Sequence, residues 1–177
     1  MPTDSQAVDL AAKIRSIPDF PKQGILFRDI MPLLQDARAL RTAVDRMAEW
    51  AVGRRVDVVL GAESRGFILG SALAYALNAG FVCARKPGKL PWKTVSEAYE
   101  LEYGTDALEV HEDAIKPGTR VLIHDDLLAT GGTAAAKTRL VEKMGGEVVG
   151  IVFLVELADL HGREKLLGHD IYSLITY

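Results

Sequence analysis

Residues Val121-Leu122-Ile123-His124-Asp125-Asp126-Leu127-Leu128-Ala129-Thr130-Gly131-Gly132-Thr133 carry the strongest chemical signal in the chain. An apolar run ends on two adjacent carboxylates, and Ala-Thr-Gly-Gly-Thr then opens a helical pattern. A helix N-terminus offers unpaired N–H groups and the positive end of a dipole. Glycines let the backbone approach a ligand closely, and threonines add hydroxyl donors. Ala129, Thr130, Gly131, Gly132 and Thr133 therefore read as a cradle for a monophosphate. Asp125 and Asp126 would repel that phosphate but suit vicinal hydroxyls or a metal. A phosphate site beside a diol site is what a ribose 5-phosphate requires. A capped helix with a Gly-rich start would explain one aspartate and one glycine, not the whole set.

Two further loops have unusual composition. Gly61-Ala62-Glu63-Ser64-Arg65-Gly66 precedes a helix, and Arg65 supplies a planar, permanently charged fork for phosphate oxygens. The same segment is one residue away from the G-x-S-x-G turn of a serine hydrolase. Asp159 and His169 would then complete a triad, but that reading leaves the acid pair and the Thr-Gly-Gly-Thr turn without a role. The third loop, Arg85 to Lys93, gathers Arg85, Lys86, Lys89 and Lys93. The chain as a whole is acidic, with 21 Lys and Arg against 24 Asp and Glu and a net charge of −3. Cations clustered on such a chain point to an anionic ligand, or else to a solvated loop.

The elements that must hold these loops follow from the apolar pattern. Short runs at Val56–Leu60, Phe81–Ala84, Arg120–His124, Glu147–Val155 and Ile171–Thr176 read as buried strands. Helices are predicted over Asp4–Arg15, Ala39–Trp50, Gly66–Leu77 and Gly132–Met144, the last stopped by Gly145-Gly146. Pro18 and Pro21 break the first helix, and Asp19 to Pro32 reads as an extended arm. Asp125 to Gly131 is predicted as loop. Thr94–Tyr103 and Ala107–His111, joined by Gly104-Thr105-Asp106, predict a hairpin. Strands alternating with helices predict an α/β fold: a parallel twisted sheet flanked by helices, with a Rossmann-like core. The expected organisation is one domain over 1–177, with 1–35 as an arm or hood and a flexible loop over 92–110. In such sheets ligands sit beyond the carboxyl ends of the strands, where all three loops fall.

Composition excludes several classes. A 177-residue chain with 49% hydrophobic and 25% charged residues can bury a core of its own. The acidic balance argues against a nucleic-acid or anionic-membrane coat. Cys83 is the single cysteine, which rules out an intramolecular disulfide and a multi-cysteine zinc site. Met1 to Leu10 does not read as a targeting segment, so a cytoplasmic location is expected. Gly66 to Ala84 has no charge and contains the small-xxx-small spacing of membrane helices, but Asn78-Ala79-Gly80 stops a helix inside it. A buried helix followed by a buried strand is the expectation.

The acid-pair segment closely resembles the phosphoribosyl-pyrophosphate signature of type I phosphoribosyltransferases. Its departure is His124, where that family usually has an aliphatic residue, which bears on the sheet beneath the acid pair. The likeness extends along nearly the full chain to adenine phosphoribosyltransferases. It is carried by Phe20-Pro21-Lys22-Gln23-Gly24-Ile25-Leu26-Phe27-Arg28-Asp29-Ile30, Glu63-Ser64-Arg65-Gly66-Phe67, Arg85-Lys86-Pro87-Gly88-Lys89-Leu90-Pro91, Tyr99-Glu100-Leu101-Glu102-Tyr103-Gly104 and Gly162-Arg163-Glu164-Lys165-Leu166.

The resemblance implies transfer of phosphoribosyl from phosphoribosyl pyrophosphate to adenine, giving AMP and pyrophosphate. It also implies a need for Mg²⁺ held through pyrophosphate and ribose hydroxyls, and a homodimer. It assigns Glu63, Ser64, Arg65, Arg85, Lys86 and Lys89 to pyrophosphate, some of the basic residues across a dimer interface, and a cis Glu63–Ser64 peptide. Glu102, as base or proton relay, and Arg65 are the expected catalytic residues, with Tyr103 helping a hairpin to close. Leu26, Phe27 and Arg28 would receive the adenine, Phe27 by stacking, with Leu127 as the opposite wall. A 6-oxopurine enzyme or a non-catalytic regulator that senses phosphoribosyl pyrophosphate are the alternatives. The acidic chain leaves no room for a helix-turn-helix module.

Overall fold

The computed structural model describes residues 8–100 and 104–177. Its first regular elements are β1 (Arg15–Pro18) and β2 (Leu26–Asp29), an antiparallel hairpin. This corrects the expected helix over Asp4–Arg15, of which Asp4 to Ala7 lie outside the described residues. The described part holds a single 3₁₀ turn, Ala11–Lys13. Leu10 and Ile14 are the side chains that reach the core, whereas Ala11, Ala12 and Arg15 on the supposed apolar face are exposed. The arm expected to be extended turns back at Asp19, whose carboxylate accepts from the Gly24 amide at 2.7 Å, and then pairs as β2.

Helix α1 (Met31–Gln35) and helix α2 (Ala37–Ala51) follow. Asp36 caps α2 by accepting from the amides of Arg38 and Ala39 at 3.0 and 3.1 Å. The next elements are β3 (Val58–Ala62), α3 (Arg65–Ala76) and β4 (Gly80–Ala84). The hairpin β5 (Thr94–Glu100) and β6 (Thr105–His111) precedes β7 (Arg120–Leu128), α4 (Gly132–Lys143), β8 (Glu147–Glu156) and β9 (Ile171–Thr176).

Strands β4-β3-β7-β8-β9 form one sheet in that order, every neighbouring pair parallel. Helices α2 and α3 cover one face and share a core with Leu122, Val152 and Leu154. Helix α4 and the β5–β6 hairpin cover the other, around Val121, Ile123, Ile151 and Phe153. Burial on both faces explains why these strands read as unbroken apolar runs. The chain leaves β3 toward β4 on one side and returns to β7 on the other. This reversal opens a crevice at the carboxyl ends of β3 and β7, the usual place for a ligand.

Two details correct the sequence reading. Strand β7 does not stop at His124 but continues to Leu128, because the apolar run of β8 keeps pairing: Asp125 lies opposite Phe153 and Leu128 opposite Glu156. The acid pair therefore sits inside a strand, with side chains alternating to its two faces. His124 leaves the sheet regular, in register with Gly61 and Val152, and the irregularity lies earlier, between Val121 and Leu122. Its ring fits because Gly70 has no side chain; a Cβ there would come within 3.3 Å of the ring and 2.8 Å of Phe81. The glycine spacing of α3 thus reflects close packing on the sheet. No helix among the described residues is long and apolar enough to cross a membrane.

Candidate active site

At the β3–β7 crevice lies a cleft of about 340 Å³ lined by Glu63, Arg65, Lys86, Tyr99, Asp106 and every residue from Asp125 to Ala134. Its floor is the turn into α4. Gly131 adopts a left-handed φ of 80° at the N-cap and opens the helix toward the cleft. Thr130 is exposed, and Gly132 and Thr133 are half-buried.

The back of this turn is held by a segment whose function sequence reasoning missed. Gly162 lies backbone to backbone on it: a Cβ at Gly162 would run into the carbonyl of Ala129 and come within 2.8 Å of Leu128. Arg163 then clamps the strand that carries the turn's neighbour. Its Nε and Nη2 each donate at 2.7 Å to the two oxygens of Glu156 at the end of β8. That fork holds the Glu156 carboxyl below its ordinary range, against an opposing effect of burial. The signal was present as Gly162-Arg163, but nothing in its spacing disclosed an approach to Ala129 and Gly131.

The two acids differ in their surroundings. Asp125 Oδ2 accepts from Lys137 Nζ at 2.8 Å, and its Oδ1 from the Asp126 amide at 3.1 Å. Asp126 Oδ2 meets Arg65 Nε at 2.8 Å. Burial, reinforced by the negative charge of Asp125, pushes the Asp126 carboxyl up to about 7 despite the Arg65 guanidinium. Beneath them burial, with Lys137 adding to it, pushes the His124 imidazole down to about 4. His124 Nδ1 lies 3.1 Å from the Val152 carbonyl, so it carries the proton and donates, while Nε2 is buried without a partner.

The rim of the cleft is ionic. Glu63 accepts from the Lys86 amide at 2.6 Å, from Arg85 Nη2 at 3.0 Å and from Lys89 Nζ at 3.4 Å. Burial works against ionisation of Glu63, but these donors outweigh it and hold its carboxyl below the usual range. Lys86 Nζ pairs with Asp106 at 3.0 Å, which raises the ammonium's pKa. Tyr99, buried on the hairpin, packs against Gly132 at the helix start, and burial raises its phenol. The sequence pattern gave Tyr99 no separate role. The Glu63–Ser64 peptide is cis. Ser64 is exposed, while the proposed triad partners are elsewhere: His169 Nε2 lies 3.9 Å from Glu142 at the far end of α4, and Asp159 is exposed in a 3₁₀ turn. The hydrolase reading falls on that separation.

The arm meets the site through Arg65. Its guanidinium carbon lies 5.2 Å from the centre of the Phe27 ring, within cation–π range, while its Nε holds Asp126. Phe27 also packs edge-on against Phe20, with centroids 5.1 Å apart. Leu127 lines the cleft; Leu26, Phe27, Arg28, Ser64, Arg85 and Lys89 do not. Arg28 instead lies over the Tyr177 ring at 3.7 Å, which fixes β2 to the end of the sheet. Leu101, Glu102 and Tyr103 lie outside the described residues.

The sequence profile of the phosphoribosyl transferase domain matches residues 33–175. An adenine phosphoribosyltransferase of Thermotoga neapolitana is 59% identical over 170 residues, 96% of this chain and 100% of the relative. The chain belongs to the adenine phosphoribosyltransferase family.

Solved phosphoribosyltransferases share the fold. The crystal structure of the adenine phosphoribosyltransferase of Thermoanaerobacter pseudethanolicus superposes with a TM-score of 0.93 at 55% identity, covering 95% of this chain and 98% of that one. The Saccharomyces cerevisiae adenine phosphoribosyltransferase, solved with adenine and an imino-altritol bisphosphate, gives 0.88 at 39% identity, covering 93% and 96%. The resemblance read from the motifs and the α/β class both hold.

Proposed function

We infer that this protein transfers the 5-phosphoribosyl group of phosphoribosyl pyrophosphate to adenine, giving AMP and pyrophosphate, as a purine-salvage enzyme. The observation that carries the reading is the joining, at one switch point, of a helix N-terminus built on Gly131-Gly132-Thr133 with the acid pair Asp125-Asp126. Such a turn suits a terminal phosphate, and the acids suit the two ribose hydroxyls. The yeast relative, solved with adenine and a bisphosphate, supports both substrate classes.

Breaking the bond to pyrophosphate builds positive charge on the sugar ring and negative charge on the leaving group. Stabilisation has to follow both charges as they form. Asp125 and Asp126 sit where they would favour the cationic sugar. Arg65, Lys86 and, at the rim, Arg85 and Lys89 would receive the diphosphate once it displaces Asp126, Asp106 and Glu63 from them; the cis turn at Glu63–Ser64 carries Arg65 to that place. Adenine would rest on Phe27 with Leu127 opposite, its edge read by backbone groups of Leu26 and Arg28. Glu102 is assigned the proton released by the ring nitrogen.

Among the described residues no cluster of three metal-ligating side chains exists, and the carboxylates of the cleft and its rim each face a cation. This donor set fits Mg²⁺ when the diphosphate and ribose oxygens bring the ligands. Bound so, Mg²⁺ would draw charge from the leaving diphosphate. A cytosolic homodimer completes the reading, supported by the lone Cys83 and by exposed Ile68 and Tyr75 on α3 and Trp92 after the basic loop. The deciding experiment incubates the protein with adenine, phosphoribosyl pyrophosphate and Mg²⁺, with hypoxanthine and guanine as competitors. AMP formation is expected, and preference for a 6-oxopurine would overturn the adenine assignment. Removing Mg²⁺ with a chelator should abolish turnover.

A further inference from the structure

Behind the cleft, one charged side chain is wholly enclosed. Lys137 stands on the sheet-facing side of α4 among Ala134, Ala136, Leu140 and Val141, and its exposure is 0%. Its Nζ donates at 2.8 Å to Asp125 Oδ2 and at 2.8 Å to the His124 carbonyl. An ammonium is costly to remove from water, and well-packed apolar residues often replace a buried ion pair without loss. Stability alone therefore gives no reason for a charge at this position. A methionine, one atom shorter, would fill most of the same space.

The reason lies at the other end of the bond. Each oxygen of Asp125 has a fixed neighbour: Lys137 at Oδ2 and the Asp126 amide at Oδ1. Gly66 closes the remaining space, since a Cβ there would lie 2.8 Å from Oδ1. The Asp125 carboxylate is thus locked in rotation, and the lock is applied from the α4 side of the sheet. Arg65, from the α3 side, holds Asp126. The two neighbouring acids are bracketed by two cations, one on each face.

We propose that Lys137 is a positioning residue for phosphoribosyl transfer: from behind the cleft its ammonium fixes the orientation of Asp125, so that the carboxylate meets the ribose hydroxyls already aligned. The His124 carbonyl serves as the second anchor that keeps Nζ in place. The proposal rests on the reading that this acid pair binds the sugar donor. It predicts an effect confined to that donor, because Lys137 touches neither the base arm nor the ionic rim.

The test is a mutant cycle read by sugar-donor binding. Lys137→Met keeps most of the apolar stem of the side chain and removes the charge. The dissociation constant for phosphoribosyl pyrophosphate should rise about tenfold, the scale of one weakened charge-assisted hydrogen bond. The adenine KM should stay within about twofold, since no adenine contact involves this bond. In an Asp125→Asn background the same change should add little, because the carboxylate it orients is gone. Equal effects in both backgrounds, or unchanged donor binding in Lys137→Met, would overturn the proposal. Lys137→Gln, which keeps a donor, should restore part of the affinity; if neither variant folds, the residue is structural and the proposal fails. Donor titration needs no acceptor base, so an unmodified protein that binds the donor but makes no AMP would sink the adenine reading while still judging Lys137.

Discussion

Under the proposed function, the cradle and the ionic rim of the cleft would meet the same problem, holding an anion, in opposite ways. The cradle is backbone. Gly131 and Gly162 press together, Arg163 is clamped on Glu156, and α4 aims its first amides into the cleft before any ligand arrives. The rim is side chains, and its cations are already engaged: Arg85 and Lys89 with Glu63, Lys86 with Asp106, Arg65 with Asp126. A cradle needs no rearrangement to bind and none to release. A rim must exchange partners, so its anion competes with carboxylates of the protein itself. The difference suits the chemistry proposed, in which the sugar phosphate stays through the reaction and the diphosphate departs.

That contrast can be broken at several points. Asp125→Asn with Asp126→Asn removes the charges facing the sugar, and kcat/KM for the donor should fall about 10³-fold, the scale of two charge-assisted hydrogen bonds removed together. Near-normal turnover would move the ribose elsewhere. Gly162→Ala forces a methyl against the Ala129 carbonyl and displaces the cradle from behind; a loss of about 100-fold in kcat/KM for the donor is expected, with a lower Tm. If activity survives, the cradle is not built by this close approach.

Phe27→Ala should raise the adenine KM about tenfold and change donor binding far less, because the ring contributes one stacking face. A matching loss of donor affinity would instead make Phe27 a support for Arg65. Lys89→Ala, at the exposed edge of the rim, should cost about threefold at low salt and nearly nothing in about 0.5 M salt, since exposed charges are screened. An effect insensitive to salt would show that Lys89 acts in an enclosed site.

One further effect, read by stability instead of turnover, separates function from stability. Asp126 has a folded pKa of about 7 against an ordinary 3.8, so the native state holds the proton more tightly than the unfolded chain. Its contribution favours the fold at low pH and is lost as pH rises from about 4 through 7. Asp126→Asn should therefore raise stability at pH 8 by about 1 to 2 kcal/mol, less at pH 5, even as it impairs turnover. A variant less stable at pH 8 would mean that the Arg65 bond outweighs burial.

Much of this site was legible in the chain because its parts are local. A glycine-threonine turn, an adjacent acid pair and a run of cations each lie within a few residues of sequence, and alternation of apolar runs placed them at one sheet edge. What was not legible depends on distance. Nothing in the sequence singles out Lys137 until its helix is docked, and then it proves to lie beneath Asp125. Gly162 and Arg163 act on residues brought to them only by the β8 pairing. The strand end at Leu128 was missed because Asp125 and Asp126 interrupt an apolar run that the partner strand nonetheless keeps in register. At the N-terminus, helical spacing of alanines misled because Leu10 and Ile14, with Val8 beside them, fill the core while Ala11 and Ala12 stay exposed.

Arg65 has one guanidinium and two attachments, the sugar-side acid and the flat ring that would support the base. A diphosphate that drew this cation toward itself would also free Asp126 and uncover Phe27. Donor and nucleobase would then be linked energetically without touching, and such a linkage would run equally in both directions. Under the proposed function, occupancy of one subsite would tune the affinity of the other through that single side chain.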